Sequence, residues 1–330
     1  MKPIEFSIVV PAYQAAGSIA RCVEALAQQT VDRERYEVIV IDDGSTDGTA
    51  EQARQAGADH ILSAPHHGPA TARNAGVAVA QGEIVLFTDA DCEPAPDWLA
   101  RMTTPFLDPT VDGAKGTYRT RQQALVARFV QLEYEHKYDK MRAQRTIDFV
   151  DTYAAAYHRR VLAGGEGFDP HFPRASGEDV EFSYRVSRQG RRLVFVPNAF
   201  VFHRHVDTVA RYVARKYYVG FWRVRMYRLH PDKAVSDSHT PQTLKLQIAL
   251  MGGMIICLAL AAFWPPALIV DLALLMLFLI STIPFIRKAL HRDPPVALVA
   301  PALLLLRALA LGWGFAVGIV WHLARRQHTD

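Results

Sequence analysis

Ile84-Val85-Leu86-Phe87-Thr88-Asp89-Ala90-Asp91 is an apolar run that ends in two carboxylates one residue apart. Consecutive apolar residues of this length predict a strand buried on both faces. Side chains at the carboxyl end of such a strand line the crevice where open α/β sheets take their ligands. Upstream the same grammar repeats. Phe6 to Val10 reads as a short buried strand stopped by Pro11, and Ile19, Cys22, Val23 and Leu26 follow at helical spacing behind Ser18, a candidate N-cap. Val38 to Ile41 predicts a second strand, which runs into the turn Asp42-Asp43-Gly44-Ser45-Thr46-Asp47-Gly48-Thr49 and a helix through Gln55. His60 to Leu62 is a third, short strand, and Ala70 to Ala80 a helix ended by Gly82. Asp97 then caps a helix carrying Trp98, Leu99, Met102 and Phe106. Alternating strands and helices predict an α/β fold whose parallel sheet is covered on both faces.

The middle of the chain is less regular. Gln122 to Arg142 is a long helical stretch, and Phe149 to Tyr157 reads as a strand entering a loop. Glu178 to Gln189 predicts a helix closed by Gly190, and Leu193 to Val196 and Ala199 to Phe202 predict strands. Tyr212 to Met226, dense in Arg, Lys and aromatics, reads as an interfacial helix. The last third changes solvent. Leu246 to Trp264 and Ala267 to Ile286 are apolar runs of membrane-spanning length, joined by Pro265-Pro266. Neither has the polar face of a soluble helix. Arg287, Lys288, His291 and Arg292 after them predict a cytoplasmic loop. Val296 to Leu323 carries Arg307 in its middle and is either a third span or a re-entrant pair of half-helices. The expected division is therefore a cytoplasmic domain over residues 1–235 and a membrane domain over 236–330.

Bulk properties agree. The 330 residues are half hydrophobic, and the net charge of +4 is too small to imply nucleic acid. Beyond Leu244 the only acidic residues are Asp271, Asp293 and Asp330. The three cysteines, Cys22, Cys92 and Cys257, have no zinc or disulfide spacing, which fits a reducing compartment. Met1-Lys2-Pro3-Ile4-Glu5 leads into a strand without a signal-peptide pattern, so the first domain is expected on the cytoplasmic side.

Five groups of residues can carry chemistry. Asp89 and Asp91 can hold Mg²⁺ or Mn²⁺ against a diphosphate, because these hard ions take oxygen ligands and bind phosphates jointly. Asp42 and Asp43 end a strand of the same sheet, where they can accept from a base N–H or ribose hydroxyls. Arg73, on the helix opened by Gly68-Pro69, can approach phosphates or base, while His66 and His67 read as loop residues. Asp179 in Gly177-Glu178-Asp179 is the candidate general base. A helix N-terminus favours its anion and weakens it as a base unless burial raises the pKa. His203, in Val201-Phe202-His203-Arg204-His205, is a candidate metal ligand, and imidazole suits Mn²⁺ better than Mg²⁺.

In this order the motifs resemble glycosyltransferase family 2, the inverting enzymes with the GT-A fold. The resemblance runs from about residue 4 to 225 and rests on Ile8-Val9-Val10-Pro11-Ala12-Tyr13, Ile41-Asp42-Asp43-Gly44-Ser45-Thr46-Asp47, Ala72-Arg73-Asn74-Ala75-Gly76, Asp89-Ala90-Asp91 and Gly177-Glu178-Asp179. It implies a mixed Rossmann-like sheet, here with C-terminal transmembrane helices. It also implies a nucleotide-sugar pocket lined by Pro11, Ala12, Tyr13, Asp42, Asp43, Arg73, Asp89 and Ala90. Asp91, with His203, would hold the metal, and Asp179 would act as base. Asp151 to Ala156, Arg159-Arg160 and Gly165-Glu166-Gly167-Phe168-Asp169 are similar to the family's acceptor-side stretch. The Gln-x-x-Arg-Trp motif of processive polysaccharide synthases is missing from Ala214 to Trp222, which favours transfer of one sugar. Membrane anchoring then points to a lipid-linked, polyprenyl-type acceptor at the cytoplasmic face of a bacterial cell membrane. The competing readings are a nucleotide-sugar binding protein without turnover and a polysaccharide synthase component. A nucleotidyltransferase or dehydrogenase is disfavoured, since the loop after the first strand lacks both a lysine and G-x-G-x-x-G.

Overall fold

The computed structural model describes residues 3–163, 167–172 and 177–326. Gly165 and Glu166 of the expected acceptor-side turn lie outside them. The chain forms two compact units, residues 1–121 with 141–204, and residues 122–140 with 205–330.

The first unit is a sheet flanked by helices. In chain order it holds β1 (Phe6–Ala12), α1 (Ile19–Ala27), β2 (Tyr36–Asp42), α2 (Thr49–Gln55), β3 (His60–Ser63), α3 (Pro69–Val79), β4 (Ile84–Phe87), β5 (Cys92–Pro94), α4 (Trp98–Thr103) and β6 (Val111–Arg119). After α5 (Leu125–Arg142), most of which belongs to the second unit, follow β7 (Ala155–His158), α6 (Arg159–Ala163), α7 (Glu178–Arg188) and β8 (Arg192–His203). The strand order is β3-β2-β1-β4-β7-β6-β8-β5. The first four are parallel, as their continuous apolar runs predict, and Ile8 to Val10, Val38 to Ile41 and Val85 to Phe87 are fully buried. The far side is mixed. β7 runs antiparallel to both neighbours, and β5 antiparallel to β8. The all-parallel sheet expected from alternation therefore holds for half of it.

Two local expectations change. Ser18 and Asp97 make no capping bond. Ser18 Oγ donates to the Ala15 carbonyl, and Asp97 pairs with Arg101. The two short strands expected at 193–202 are one strand, β8, whose pairing with β6 slips between Lys115 and Thr117. Pro197 and Asn198 sit in the segment opposite that slip. The sequence offers no pattern for β6, because its glycines are packing devices. A Cβ at Gly113 would lie 2.7 Å from the Tyr157 ring, and one at Gly116 2.5 Å from the Ala199 carbonyl.

The second unit is helical: α5, α8 (Val209–Leu229), α9 (Pro231–Val235), α10 (Gln242–Ala261), α11 (Ala267–Arg292) and α12 (Pro294–Arg326). α10, α11 and α12 are each long and apolar enough to cross a membrane. Residues 122–140 and 205–235 group with the C-terminal helices in this unit. Val126, Phe129 and Val130 of α5 and Tyr212 of α8 share one core with Phe278, Phe285, Val296, Ala300 and Leu304, which ties both helices to the C-terminal ones. α8 meets α12 backbone to backbone, so that a Cβ at Gly220 would fall 2.2 Å from the Leu311 carbonyl and one at Gly314 2.0 Å from that of Tyr217. α12 is one continuous helix. Arg307 is not bare at its middle. It pairs with Glu133 at 2.8 Å and donates to Gln247 at 2.5 Å, while Lys216 pairs with the other Glu133 oxygen at 3.0 Å.

Candidate active site

The carboxyl ends of β1 and β2 form the first wall. Asp42 is buried and accepts from the Ser45 amide at 3.1 Å, holding the turn after β2. Asp43 is also buried. Its two oxygens accept from the His67 and Gly68 amides, each at 2.9 Å, and His66 Nδ1 lies 2.9 Å from Oδ2. The half-exposed Tyr13 ring stacks on His66 with centroids 3.9 Å apart. Gly44 permits this approach with φ of 81°, and its Cα faces the His66 amide. Pro11 and Ala12 stand at the end of β1. Tyr13, Asp43 and His66 thus make one surface carrying an aromatic face beside a carboxylate. His66 reads as a plain loop residue in sequence. No local signal marks it, because its partners are distant in the chain.

α3 carries the Arg73-Asn74-Ala75-Gly76 motif, and three of its members have separate structural tasks. Gly76 lets the helix press on β1, since a Cβ there would lie 2.4 Å from Val9 Cγ1. The Asn74 amide exchanges hydrogen bonds with the Phe168 backbone at 2.8 and 2.9 Å, pinning that loop. Arg73 is 3% exposed, and its guanidinium spans Glu178 Oε1 at 2.7 Å and Asp89 Oδ1 at 3.2 Å. Arg73 thus occupies a bridging position between two carboxylates. The two amino groups are turned to carboxylates, one at the end of β4 and one at the start of α7.

Pairing of β5 with β8 builds the next corner. The register sets Cys92 opposite His203, which brings Asp91 beside the imidazole. Asp91 Oδ1 lies 3.5 Å from His203 Nδ1, and Cys92 Sγ 3.7 Å from Asp91 and 3.9 Å from His203. These three are a cluster of metal-ligating type. Burial pushes the Cys92 thiol well above its ordinary value, so it stays protonated. The usable donors are then a carboxylate oxygen and an imidazole nitrogen, a set suited to Mn²⁺ or Mg²⁺ beside phosphate oxygens. Burial works to raise Asp91, but the hydrogen bond and charge of His203 outweigh it and the carboxyl falls below its ordinary value. Asp91 is half open, so it can face a ligand. Asp89 behaves oppositely. Burial raises it despite Arg73. Ala90 is buried between them.

α7 supplies the last group. It begins after Gly177, whose φ of 118° suits glycine alone. The Asp179 carboxylate accepts from the Val180 amide at 2.8 Å, the Thr152 amide at 3.1 Å and the Thr152 hydroxyl at 3.4 Å. Burial first, then the charges of Glu178 and Asp151, push its pKa up to about 7. The helix N-terminus therefore does not decide its basicity. Glu178, Asp151 and Thr152 lie in motifs that the sequence displays but without a role assigned to them, and Lys115 is marked by no motif at all. Lys115 is fully buried, pairs with Asp151 and donates to the Tyr153 hydroxyl at 3.2 Å.

Residues 7–164 match the family described as glycosyl transferase family 2. The domain belongs to glycosyltransferase family 2. Glycosyltransferase AglE of Haloferax volcanii is 28% identical over 208 residues, 60% of this chain and 66% of that protein. The pre-mycofactocin glycosyltransferase of Mycobacterium tuberculosis is 30% identical over 239 residues, 69% of this chain and 49% of that protein. The chain thus spans between about half and two thirds of the length of these curated relatives. Among solved structures, mannosyltransferase PcManGT from Pyrobaculum calidifontis, in complex with GDP-Man and Mn²⁺, aligns with a TM-score of 0.60 at 20% identity over 97% of this chain and 89% of that one. Glucosyl-3-phosphoglycerate synthase from Mycobacterium tuberculosis, with Mn²⁺, UDP and glucosyl-3-phosphoglycerate, aligns with a TM-score of 0.51 at 19% identity over 68% of this chain and 80% of that one. At these identities the likeness is one of GT-A fold.

Proposed function

We propose that this family 2 chain transfers one sugar, with inversion, from a nucleotide-diphosphate sugar to a lipid-linked acceptor at the cytoplasmic membrane face. The observation that carries the reading is the buried Arg73 guanidinium. It pairs with Asp89 after β4 and with Glu178 at the start of α7, which supports reading the strand-end acid pair and the candidate base as one site. Tyr13 and the neighbouring Asp43 present a stacking face and an acceptor for a base. Asp179, with a pKa near neutrality, suits removal of a proton from an acceptor hydroxyl as its oxygen attacks the anomeric carbon. Asp91 and His203 would hold Mg²⁺ or Mn²⁺, which when bound neutralises the charge of the departing diphosphate. Asp89, paired with Arg73, would meet the ribose or the metal. The apolar faces of α10 and α11, with Ile256, Ile269, Leu272 and Ile280 exposed, support an acceptor carried in a bilayer.

The test is a panel of nucleotide sugars assayed for hydrolysis and transfer with Mn²⁺, using the parent chain and Asp91→Ala. One donor should be consumed by the parent and spared by the variant, with a loss of about 100-fold or more. Equal survival of every donor with both proteins overturns the reading.

A further inference from the structure

A column of three rings stands under the Asp91–His203 corner. Tyr118 on β6 is almost fully buried. Its ring stacks on Tyr153 with centroids 3.4 Å apart at 14°, and on His203 with centroids 4.6 Å apart at 24°. Tyr118 is supported on β8 by register, opposite Val201, two residues before His203. The lower ring is fixed as well. The Tyr153 carbonyl accepts from the Thr88 hydroxyl at 2.9 Å, and the Lys115 ammonium sits 4.6 Å over the Tyr153 ring. The residue before Tyr153 is Thr152, whose amide and hydroxyl both donate to Asp179.

We infer that Tyr118 is a positioning residue: wedged between Tyr153 and His203, its ring sets the orientation of the His203 imidazole and couples it to the segment that holds Asp179. An imidazole on a strand end can rotate about two torsions, and a metal ligand must present one nitrogen in one direction. Hydrogen-bonding partners usually impose that direction. Here a flat ring packed at stacking distance restricts rotation on one face. The same stack fixes Tyr153, and through the chain Thr152, against the sheet. Orientation of the metal donor and of the base thus share one support. A phenyl ring would do as well as a phenol, because the stacked face and not the hydroxyl makes the contact.

The inference rests on the reading of His203 as a metal ligand, and the experiment separates the two. Mn²⁺ binding to the full-length protein in detergent is measured by electron paramagnetic resonance of the free ion. The variants are Tyr118→Phe, Tyr118→Leu, Tyr118→Met and His203→Ala, with thermal unfolding followed in parallel. His203→Ala should weaken Mn²⁺ binding strongly. Tyr118→Leu and Tyr118→Met should each weaken it about 10-fold, the low end for groups that orient a metal ligand, while Tyr118→Phe stays near the parent. Methionine keeps volume and apolarity without a ring, so it reports even where leucine fails to fold. Parent-like Mn²⁺ binding in a folded Tyr118→Met or Tyr118→Leu, with His203→Ala impaired, overturns the positioning role. Parent-like binding in His203→Ala removes the metal reading beneath it. Equal loss in Tyr118→Phe and Tyr118→Met assigns the effect to the hydroxyl and also overturns the inference.

Discussion

If Asp179 is the base, the pH dependence of transfer is set by the neighbours that burial has gathered around it. Its carboxyl titrates near 7, because burial and the charges of Glu178 and Asp151 oppose ionisation more than Arg73 and the Thr152 amide favour it. The reactive form is the anion. In the parent, kcat/KM should therefore rise with pH and level off above neutrality, with about a tenth of the plateau at pH 6 and about a hundredth at pH 5. Glu178→Gln removes the second-largest cause of the shift. It also frees Arg73 from its 2.7 Å partner, and both changes favour the Asp179 anion. The inflection should move down by at least about one pH unit, because a like charge ~4 Å away at an effective dielectric near 20 is worth about 4 kcal/mol and one unit requires only about 1.4 kcal/mol. Asp179→Asn should bind donor, lose transfer and leave no inflection in what remains. Stability moves with the opposite sign. The folded pKa near 7 lies above the ordinary 3.8, so between about pH 4 and pH 7 the folded chain keeps a proton that the unfolded chain releases. Stability contributed by this group is full below that window and is lost as pH rises through it. Asp179→Asn should accordingly melt higher than the parent at pH 8 and about equal to it at pH 4. The assay is a kcat/KM profile from pH 5 to 8.5 beside melting curves at both ends. An inflection that survives in Asp179→Asn, or that fails to move in Glu178→Gln, refutes the reasoning.

Two further outcomes follow from packing and charge. Arg73→Met leaves Glu178, 1% exposed, without its cation, and should cost about 3–5 kcal/mol of stability in denaturant melts; Arg73→Lys should recover part of this, since one ammonium cannot span both carboxylates as a fork does. Parent-like stability of Arg73→Met would show that the bridge is not what holds α7. Gly314→Leu drives a side chain into the Tyr217 carbonyl at 2.0 Å and should lower thermal stability in detergent by about 1–3 kcal/mol or more, whereas Gly252→Leu, with open space around its Cα, should change little. Equal melting of the two would mean that α8 and α12 do not approach as closely as described.

What could be read from sequence and what could not divide along one physical line. Ile8 to Val10, Val38 to Ile41 and Ile84 to Phe87 announce themselves because a strand covered on both faces needs apolar residues at every position, and the demand is local. Asp43, Asp89 and Asp91 are legible for the related reason that they stand at the ends of those strands. Nothing local marks β6, where Gly113 and Gly116 are required by Tyr157 and Ala199, or Lys115, a residue type that is almost never buried without a partner. Its partner Asp151 lies 36 positions away. His203 gains its place because β5 and β8 set Cys92 against it across 111 residues, and a slip by one residue would turn its ring to the other face of the sheet. The place of α5 is illegible for the same reason: its composition is mixed, and only the companions of Phe129 and Val130 decide where its apolar side is used. Strands thus supply the position of each acid, while register and buried charge supply their convergence. The second kind of information is a property of pairs, so a single sequence carries it only where, as at Arg73 and Glu178, both members happen to lie in segments that are legible on other grounds.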